Sequence, residues 1–192
     1  MTLKISSHLS LANQFLIAMP SMDESYFGRS LTYICEHDEH GAMGLVVNKT
    51  TDMSVKNLLS EIDIAVPESS PLDDKKVMSG GPVQEDRGFV LHTGSRVWSS
   101  SLQLEQNFMV TTSKDILENL GTTDGPEDFV VTLGYAGWGA GQLEDEIANN
   151  AWLTVDADPE IIFGAPPKER WELALKKLGI SSSQLSHIAG HS

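Results

Sequence analysis

Short apolar runs separated by polar turns recur along the first quarter of the chain. Three of these runs are rich in β-branched and aromatic residues, which favours strands over helices. The second and third runs are joined by a short polar turn around Asp38 to Gly41, so we predict a β-hairpin between them. The three predicted strands cover residues 14–19, 30–36 and 41–48.

A helical period replaces the strand pattern after this hairpin. Apolar residues follow the i, i+3, i+4, i+7 spacing from Val55 to Ile62, and Ser54 stands where an N-cap is expected, so we predict a short amphipathic helix. Similar patterns predict strands at 77–78, 89–91, 108–110, 129–133 and 151–155, and helices after Ser113, near 142–149 and after Pro167.

The order of these elements bears on the fold class. Strands and helices do not alternate regularly, and no internal repeat or low-complexity tract is visible, which favours an α+β fold over regular βαβ winding. With 192 residues and 40% hydrophobic content, the chain has enough apolar surface for one core. We therefore expect a single domain over residues 1–192, with 181–192 as a flexible tail.

The chain is strongly acidic, with 27 Asp and Glu against 13 Lys and Arg and a formal net charge of −14. Such a surface repels nucleic-acid phosphates and anionic lipids unless a basic patch compensates. The densest basic segment, 168–177, also carries Glu169 and Glu172, and we interpret it as a solvated helix face. Because we find no basic patch along the sequence, we expect no direct binding of nucleic acid.

Cys35 is the single cysteine, which excludes an intramolecular disulfide and fits a reducing compartment. It lies in an apolar run, so we interpret it as a buried strand residue rather than a reactive thiol. The first residues show no basic region followed by a long apolar core, and no apolar stretch of about 18 residues follows. We expect a cytoplasmic protein without a membrane span.

The segment 134–141 holds four glycines and leads into an acidic helix. Because glycine tolerates backbone shapes that other residues avoid, this cluster indicates a sharp strand-to-helix turn or a surface where another group approaches the backbone closely. Two interpretations remain open: the glycines allow tight packing around Tyr135 and Trp138, or they let a ligand approach the backbone. The spacing matches neither the dinucleotide fingerprint nor the phosphate-binding loop. Glu144 and Asp145 occupy the first turn of the helix, so a bound ligand would be cationic or neutral rather than a phosphate.

Histidines raise the question of metal or catalytic chemistry at two places. His37 and His40 flank two acidic residues, but no further ligand stands at a recognised spacing, so we interpret this segment as a solvated turn and expect no metal site and no cofactor. His92 follows an apolar run, and we interpret it as a strand-end histidine with a hydrogen-bond partner. No Gly-x-Ser-x-Gly segment accompanies it, so no serine-hydrolase triad is predicted.

The chain resembles the AlgH/YqgE family in three ordered segments. These are 41–49 (GAMGLVVNK), 80–83 (GGPV) followed by 88–92 (GFVLH), and 133–144 (LGYAGWGAGQLE) followed by 150–152 (NAW). The resemblance implies a mixed β-sheet that curls into a barrel-like core with flanking α-helices. It also implies a bacterial protein whose family name is linked to transcriptional regulation of alginate synthesis, and it implies no particular reaction.

We therefore hypothesise a non-enzymatic binding or regulatory protein that acts through a protein partner or a small ligand, and we leave its oligomeric state open. The candidate binding surface is expected to gather residues of the three motifs. These residues are Asn48, Gly80, Gly81, Pro82, Gly134, Tyr135, Gly137, Trp138, Gln142 and Glu144.

Two alternatives remain. A small-molecule enzyme would use Glu144 or Asp145 as a general base, beside Asn48 or His92. A DNA-binding regulator would need a basic recognition helix, which is not visible. If the motif surface is a binding site, replacing Trp138 or Glu144 should impair function at an unchanged melting temperature, whereas if it serves packing, both changes should unfold the protein.

Overall fold

The protein has an α+β fold, described by a computed structural model for residues 10–67 and 70–189. The strands in these residues are β1 (Gln14–Ala18), β2 (Leu31–Asp38), β3 (Gly41–Val46), β4 (Thr50–Ser54), β5 (Lys76–Ser79), β6 (Val83–Thr93), β7 (Ser101–Gln103), β8 (Phe108–Thr111), β9 (Phe129–Gly139) and β10 (Trp152–Asp156). The α-helices are α1 (Val55–Glu61), α2 (Lys114–Leu117), α3 (Gln142–Ala148), α4 (Arg170–Lys177) and α5 (Ser182–Ala189). None of the helices in this part of the chain is long and apolar enough to cross a membrane.

The strands form one sheet that curls into a half barrel. Its main order is β10-β1-β2-β3-β9-β6-β8-β7, and neighbours along this path run antiparallel. Strand β5 joins β4 in the antiparallel sense and β9 in the parallel sense, so the sheet is mixed. The predicted α+β fold with a mixed, barrel-like sheet and flanking helices is confirmed.

The structure confirms two predictions made from local sequence patterns, the β-hairpin and the first helix. β2 and β3 pair antiparallel, with Asp38 opposite Gly41 at the turn. Ser54 is the N-cap of α1, because its hydroxyl accepts the amide N–H of Asn57 at 3.0 Å. The Asn57 side chain accepts the Ser54 amide in return, which completes a capping box.

The central strand, β9, is longer than the sequence predicts. Its first half pairs with β6, and its second half pairs with β3 from Ala136 to Gly139. Gly134 lies between the part of β9 that pairs with β5 and the part that pairs with β3, and it has a φ of 80°, a left-handed conformation that favours glycine. The predicted strand-to-helix turn is present, but it is shorter than the glycine-rich segment 134–141. Strand β3 pairs with β9 as far as Gly139, so the turn is confined to 140–141.

The largest hydrophobic cluster lies inside the curl of the sheet. Tyr33 on β2 and Phe108 on β8 are in contact, with ring centroids 5.5 Å apart, although their strands are not neighbours in the sheet. Such a contact requires that both side chains point to the inner face. Trp171 of α4 and Leu185 of α5 close the cluster. On the outer face, one cluster is covered by α1 and α2 and another by α3.

The C-terminal segment is more ordered than the sequence predicts. Residues Ser182–Ala189 form α5, and Leu185 is only 1% exposed within the inner cluster. The expectation of a flexible tail does not hold for these residues, because Leu185 and the neighbouring Ile180 bury apolar surface against the core. Residues 190–192 of the predicted tail lie outside the described part of the chain.

Candidate functional site

Three glycines of the predicted site take part in a backbone-to-backbone contact within the protein. The turn between β5 and β6 carries Gly80 and Gly81 and rests on β9 at Gly134. A Cβ atom added to Gly81 would lie 2.0 Å from the carbonyl carbon of Tyr135, and one added to Gly134 would lie 2.3 Å from the carbonyl oxygen of Gly81. The close approach that these glycines permit is therefore made by the chain itself, which supports the packing interpretation at these positions.

The side chain of Asn48 makes two hydrogen bonds to the backbone at the beginning of β2. Its side-chain oxygen accepts the amide N–H of Leu31 at 2.8 Å, and its side-chain nitrogen donates to the carbonyl of Arg29 at 2.9 Å. Pro82 is exposed in the turn after the glycines. Neither Asn48 nor Pro82 lines either of the two pockets described below.

Polar side chains of the acidic segment hold α3 to the sheet. Glu146 accepts hydrogen bonds from the indole nitrogens of Trp138 at 3.3 Å and Trp152 at 3.2 Å. Gln142 accepts one from the last amide of β9 at 3.0 Å. Trp138 is only 7% exposed and stacks against Phe27, with ring centroids 6.3 Å apart. Two residues of the predicted site, Trp138 and Gln142, thus help to attach α3.

Glu144, also of the predicted site, pairs with His37, whose side chain is 1% exposed. The Nδ1 atom of His37 accepts the amide N–H of Leu11 at 2.8 Å, so the ring proton lies on Nε2, which donates to Glu144. The interpretation of 37–40 as a solvated turn is wrong for His37, because β2 extends as far as residue 38 and this side chain is buried between the outer face of the sheet and α3. His40 is exposed, as expected.

An open groove of about 950 Å³ lies at one end of the inner face of the sheet. We call it the mouth groove and define it by Met43, Arg87, Phe89, Ser101, Leu102 and Tyr135. Gly137 and Trp138 also line it, so that it includes three of the predicted site residues, Tyr135 among them. The other predicted site residues do not line it.

One wall of the mouth groove is aromatic. Phe89 and Tyr135 meet edge to face, with ring centroids 5.7 Å apart, a favoured arrangement for aromatic pairs. The guanidinium of Arg87 lies 5.2 Å from the centroid of Phe89. The hydroxyl of half-buried Tyr135 makes no hydrogen bond to any residue that the structure describes, and the exposed Gly137 leaves space beside it. This wall offers a ring face, a cation and a free hydroxyl to a ligand.

Ser101, which lines the groove, belongs to a chain of hydrogen-bonded side chains that continues into the buried interior. Ser101 bonds to Thr111 at 2.7 Å, and Thr111 bonds to Nε2 of His92 at 2.7 Å. The Nδ1 atom of His92 lies 3.1 Å from the carbonyl of Thr93, to which it donates. Burial lowers the pKa of His92, so the imidazole is neutral and Nε2 accepts from Thr111. The prediction that His92 is a strand-end histidine with a hydrogen-bond partner agrees with this arrangement.

The residues of the enzyme alternative are not brought together. His92 pairs with Phe129 at the beginning of β9, whereas Glu144 follows the end of that strand. β9 has 11 residues, so its ends are separated by about 30 Å at the usual rise of a strand. Asn48 forms its hydrogen bonds at the start of β2, whereas Glu144 pairs with His37 near the end of that strand. Among the side chains that the structure describes, no three His, Cys, Asp or Glu residues are grouped so that they could hold a metal ion.

The mouth groove contains residues that the sequence analysis missed, notably Met43, Arg87, Phe89 and Ser101. Arg87 and Phe89 are two apart on β6 and therefore share one face of the strand. That alternation was visible in the sequence. The order in which β6 and its neighbours would join the sheet was not, so the common groove could not be inferred.

The basic segment 168–177 also differs from its interpretation as a solvated helix face. Arg170 is only 6% exposed, and with Lys168 it lines a second pocket to which Lys75 and Lys76 also belong. The statement that the chain has no basic patch is therefore wrong for the folded protein, because this patch is assembled from two segments that are distant in sequence.

Comparison with known proteins agrees with this fold. The model of the AlgH-like family matches residues 15–183. A UPF0301 protein of Vibrio cholerae is 53% identical over 186 residues, covering 95% of this chain and 100% of the relative. Another, of Thioalkalivibrio sulfidiphilus, is 52% identical over 182 residues, covering 95% and 97%.

Two solved structures are also similar to this chain. The solution structure of the AlgH protein from Pseudomonas aeruginosa aligns with a TM-score of 0.78 at 44% identity, covering 98% of this chain and 100% of that one. The crystal structure of a protein from Corynebacterium diphtheriae, at 24% identity and a TM-score of 0.65 over 86% of each chain, shares the fold. The chain, matched by the family model over most of its length, belongs to the AlgH-like family.

Proposed function

We propose that this protein is a non-enzymatic binding protein of the cytoplasm. It binds a small molecule in the mouth groove and, in this bound state, interacts with a protein partner. The supporting observation is the pair of Phe89 and Tyr135 in the wall of a concavity of about 950 Å³. Clefts of roughly 300–1,000 Å³ with apolar and aromatic walls and a few polar groups are the usual form of small-molecule sites.

The charges around the groove favour a neutral or zwitterionic ligand with a planar ring. Arg87 supplies a cation beside Phe89, and Glu36 supplies a carboxylate. One charge of each sign complements a zwitterion, whereas a polyphosphate would meet a single cation in a chain of net charge −14. A planar ring would contact Phe89 and Tyr135 in the offset or edge-to-face manner that aromatic groups prefer.

An unpaired edge of the sheet beside the groove supports the second part of the proposal, the interaction with a protein partner. β7 is the terminal strand of the sheet path, so one of its edges has no strand neighbour within the described residues. Leu102 on β7 is 41% exposed, and Val97 in the preceding loop is 64% exposed. A free strand edge with apolar side chains is a common docking site for an extended segment of another protein.

A thermal-shift titration with the amino acids and nucleosides tests the small-molecule part. A ligand at 100 times its dissociation constant adds about 2.7 kcal/mol to the free energy of unfolding. We expect at least one of these compounds to raise the melting temperature. The shift should be lost in Arg87→Gln and reduced in Tyr135→Phe, which removes only the hydroxyl.

The matched control is Arg96→Gln. Arg96 also places its guanidinium on an aromatic ring, 3.9 Å from the centroid of Trp98, but it lies outside the groove. The control should retain the full shift. A shift that persists in both groove variants, or the absence of any shift with every compound, would rule out the mouth groove as the site.

Direct DNA binding, the alternative carried by the family name, conflicts with the net charge of −14. Retardation of duplex DNA at low salt, with an affinity that falls steeply as salt is added, would overturn the small-molecule proposal in its favour.

A further inference from the structure

A second pocket, distinct from the mouth groove, is lined by several positively charged side chains. It has a volume of about 430 Å³ and lies where α4 and the segment before it approach β5 and the start of β9. We call it the basic pocket and define it by its four cations, Lys75, Lys76, Lys168 and Arg170.

The charge of this pocket is opposite to that of the protein as a whole. Four of the 13 Lys and Arg residues of the chain line it, although acidic residues outnumber basic ones by 27 to 13. Among the described residues that line the pocket, Asp74 is the one carboxylate. The local excess of cations therefore attracts anions, and the acidic surroundings disfavour anions elsewhere on the surface.

Arg170 gives the pocket a buried cation that is not paired with an acid. Its Nε donates to the carbonyl of Ala165 at 3.0 Å, and its Nη1 donates to the carbonyl of Val47 at 2.6 Å. No carboxylate of the described residues forms an ion pair with it, and its Nη2 donates no hydrogen bond to them. Burial lowers the pKa of Arg170 to about 10, so the group still carries its charge at neutral pH.

A buried charge held only by carbonyl oxygens is uncommon, because moving an ion out of water is costly unless an opposite charge compensates. An anion that enters the pocket would supply this compensation. Arg170 is also fixed by its two hydrogen bonds, so little side-chain entropy is lost when such an anion binds.

Most of the other residues that line the basic pocket are apolar. Met78 and Phe129 are 4% and 7% exposed, and Phe163 is half-buried beside them. Lys75 lies across the ring of Phe129, with its Nζ 4.6 Å from the centroid. The pocket thus combines an apolar floor with cations at its wall and rim, within the size range of sites for small molecules.

We propose that the basic pocket binds a small organic anion, whose acidic head group contacts Arg170, Lys75 and Lys168 and whose apolar body lies on Phe129 and Met78. This site is independent of the mouth groove and of its ligand. It differs in the sign of its charge, and it shares no lining residue with the groove.

Two fluorescent probes of nearly the same shape test the proposal. The first, 8-anilinonaphthalene-1-sulfonate, has an aromatic body and one sulfonate, and the second, N-phenyl-1-naphthylamine, has the same body without the charge. In a fluorescence titration of the full chain at pH 7.5, we expect the sulfonate to bind saturably and roughly tenfold more tightly than the neutral probe.

Lysines at the rim are the residues to replace, because changes at Arg170 would also remove hydrogen bonds that hold α4. Lys75→Gln and Lys168→Gln should each weaken the sulfonate about threefold and leave the neutral probe unchanged. Lys114→Gln removes the same charge from an exposed residue outside the pocket. This control should bind the sulfonate as the unmodified chain does.

Three results would overturn the proposal. In the first, the two probes bind equally well or the sulfonate does not bind. In the second, the two pocket variants behave like Lys114→Gln. In the third, Arg87→Gln weakens the sulfonate while the lysine variants do not, which would assign the probe to the mouth groove.

Discussion

The carboxylate of Glu146 accepts a hydrogen bond from the indole N–H of Trp138, 3.3 Å away, at the junction of α3 and β9. The same oxygen accepts the indole N–H of Trp152 at 3.2 Å. Both indoles are buried, with exposures of 7% and 1%. Replacing Glu146 by Ala leaves both donors without their acceptor, so we expect the free energy of unfolding in urea to fall by roughly 2–4 kcal/mol.

The control for this prediction lies on the same helix. Asp145 is exposed, and its side chain accepts no hydrogen bond from the described residues, so Asp145→Ala should cost only about 0.5 kcal/mol through the helix dipole. Equal losses in Glu146→Ala and Asp145→Ala would contradict the structural role of Glu146. Because Trp138 takes part in this attachment, its replacement should lower the melting temperature, contrary to the outcome expected for a pure binding residue.

A second prediction concerns the close approach of β9 to the β5–β6 turn. Gly134→Ala introduces a Cβ atom 2.3 Å from the carbonyl oxygen of Gly81, at a φ of 80°. The strain of the left-handed backbone adds to the overlap, and we expect a loss of roughly 3 kcal/mol or more in the free energy of unfolding. Gly141→Ala separates the two effects, because Gly141 has a φ of 74° but no atom within 4 Å of the added Cβ. Gly141→Ala should lower the free energy of unfolding by only about 1 kcal/mol. Similar losses of stability in the two variants would show that the overlap at Gly134 is relieved without an energetic cost.

A third prediction concerns acid and the loop beside the mouth groove. Burial alone would raise the pKa of Asp115, but hydrogen bonds from Ser113, Ser99 and Ile116 outweigh it and lower the pKa to about 2, from an ordinary value of 3.8. A depressed pKa means that the carboxylate stabilises the fold above its unfolded pKa, and that this contribution disappears as the pH falls through about 4 towards 2. Asp115→Asn should therefore be less stable than the unmodified protein at pH 7.

The measurement is urea unfolding of both proteins at several pH values. The difference in the free energy of unfolding should stay constant from pH 7 to about 5 and should shrink between about pH 4 and 2. A difference that does not change with pH over this interval would show that the Asp115 carboxylate titrates alike in the folded and unfolded chains.

A fourth prediction concerns His92, which is 1% exposed. Burial lowers its pKa in the folded protein, whereas the unfolded chain takes up the proton near the ordinary value of 6.5. The contribution of the neutral imidazole is thus complete above about pH 6.5 and is lost as the pH falls from there towards the lower folded pKa. His92→Gln should reduce this loss between about pH 7 and 5. The measurement is urea unfolding of both proteins at several pH values, and equal losses of stability between about pH 7 and 5 would contradict the prediction.

The features that could be predicted from the sequence are local ones. The hairpin of β2 and β3 follows from two apolar runs and the turn near Asp38, and the cap of α1 follows from Ser54 and its neighbours within one helical turn. The three motif segments were sufficient to identify the family, and the family in turn implied the barrel-like sheet. Each of these signals lies within a few residues of the element that it predicts.

The features that could not be predicted depend on which segments meet in space. The close contact of Gly81 with Gly134, the burial of His37 under α3 and the joining of Lys75 to Arg170 each connect distant parts of the chain. A pattern of polar and apolar residues gives the face of a strand but not its neighbour. The motif residues were therefore recognisable as a set, while their division between packing and the mouth groove was not.

The pairing of β1 with β10 has a consequence for how the protein is made. Gln14 and Asp156 are opposite each other in the sheet although they are 142 residues apart in the chain. During synthesis one edge of β1 has no partner until the chain has been translated as far as Asp156, and contacts between such distant residues slow folding. A chain released before β10 has been made would present this edge to other chains and would be prone to aggregate, so translation through β10 is a condition of folding without aggregation.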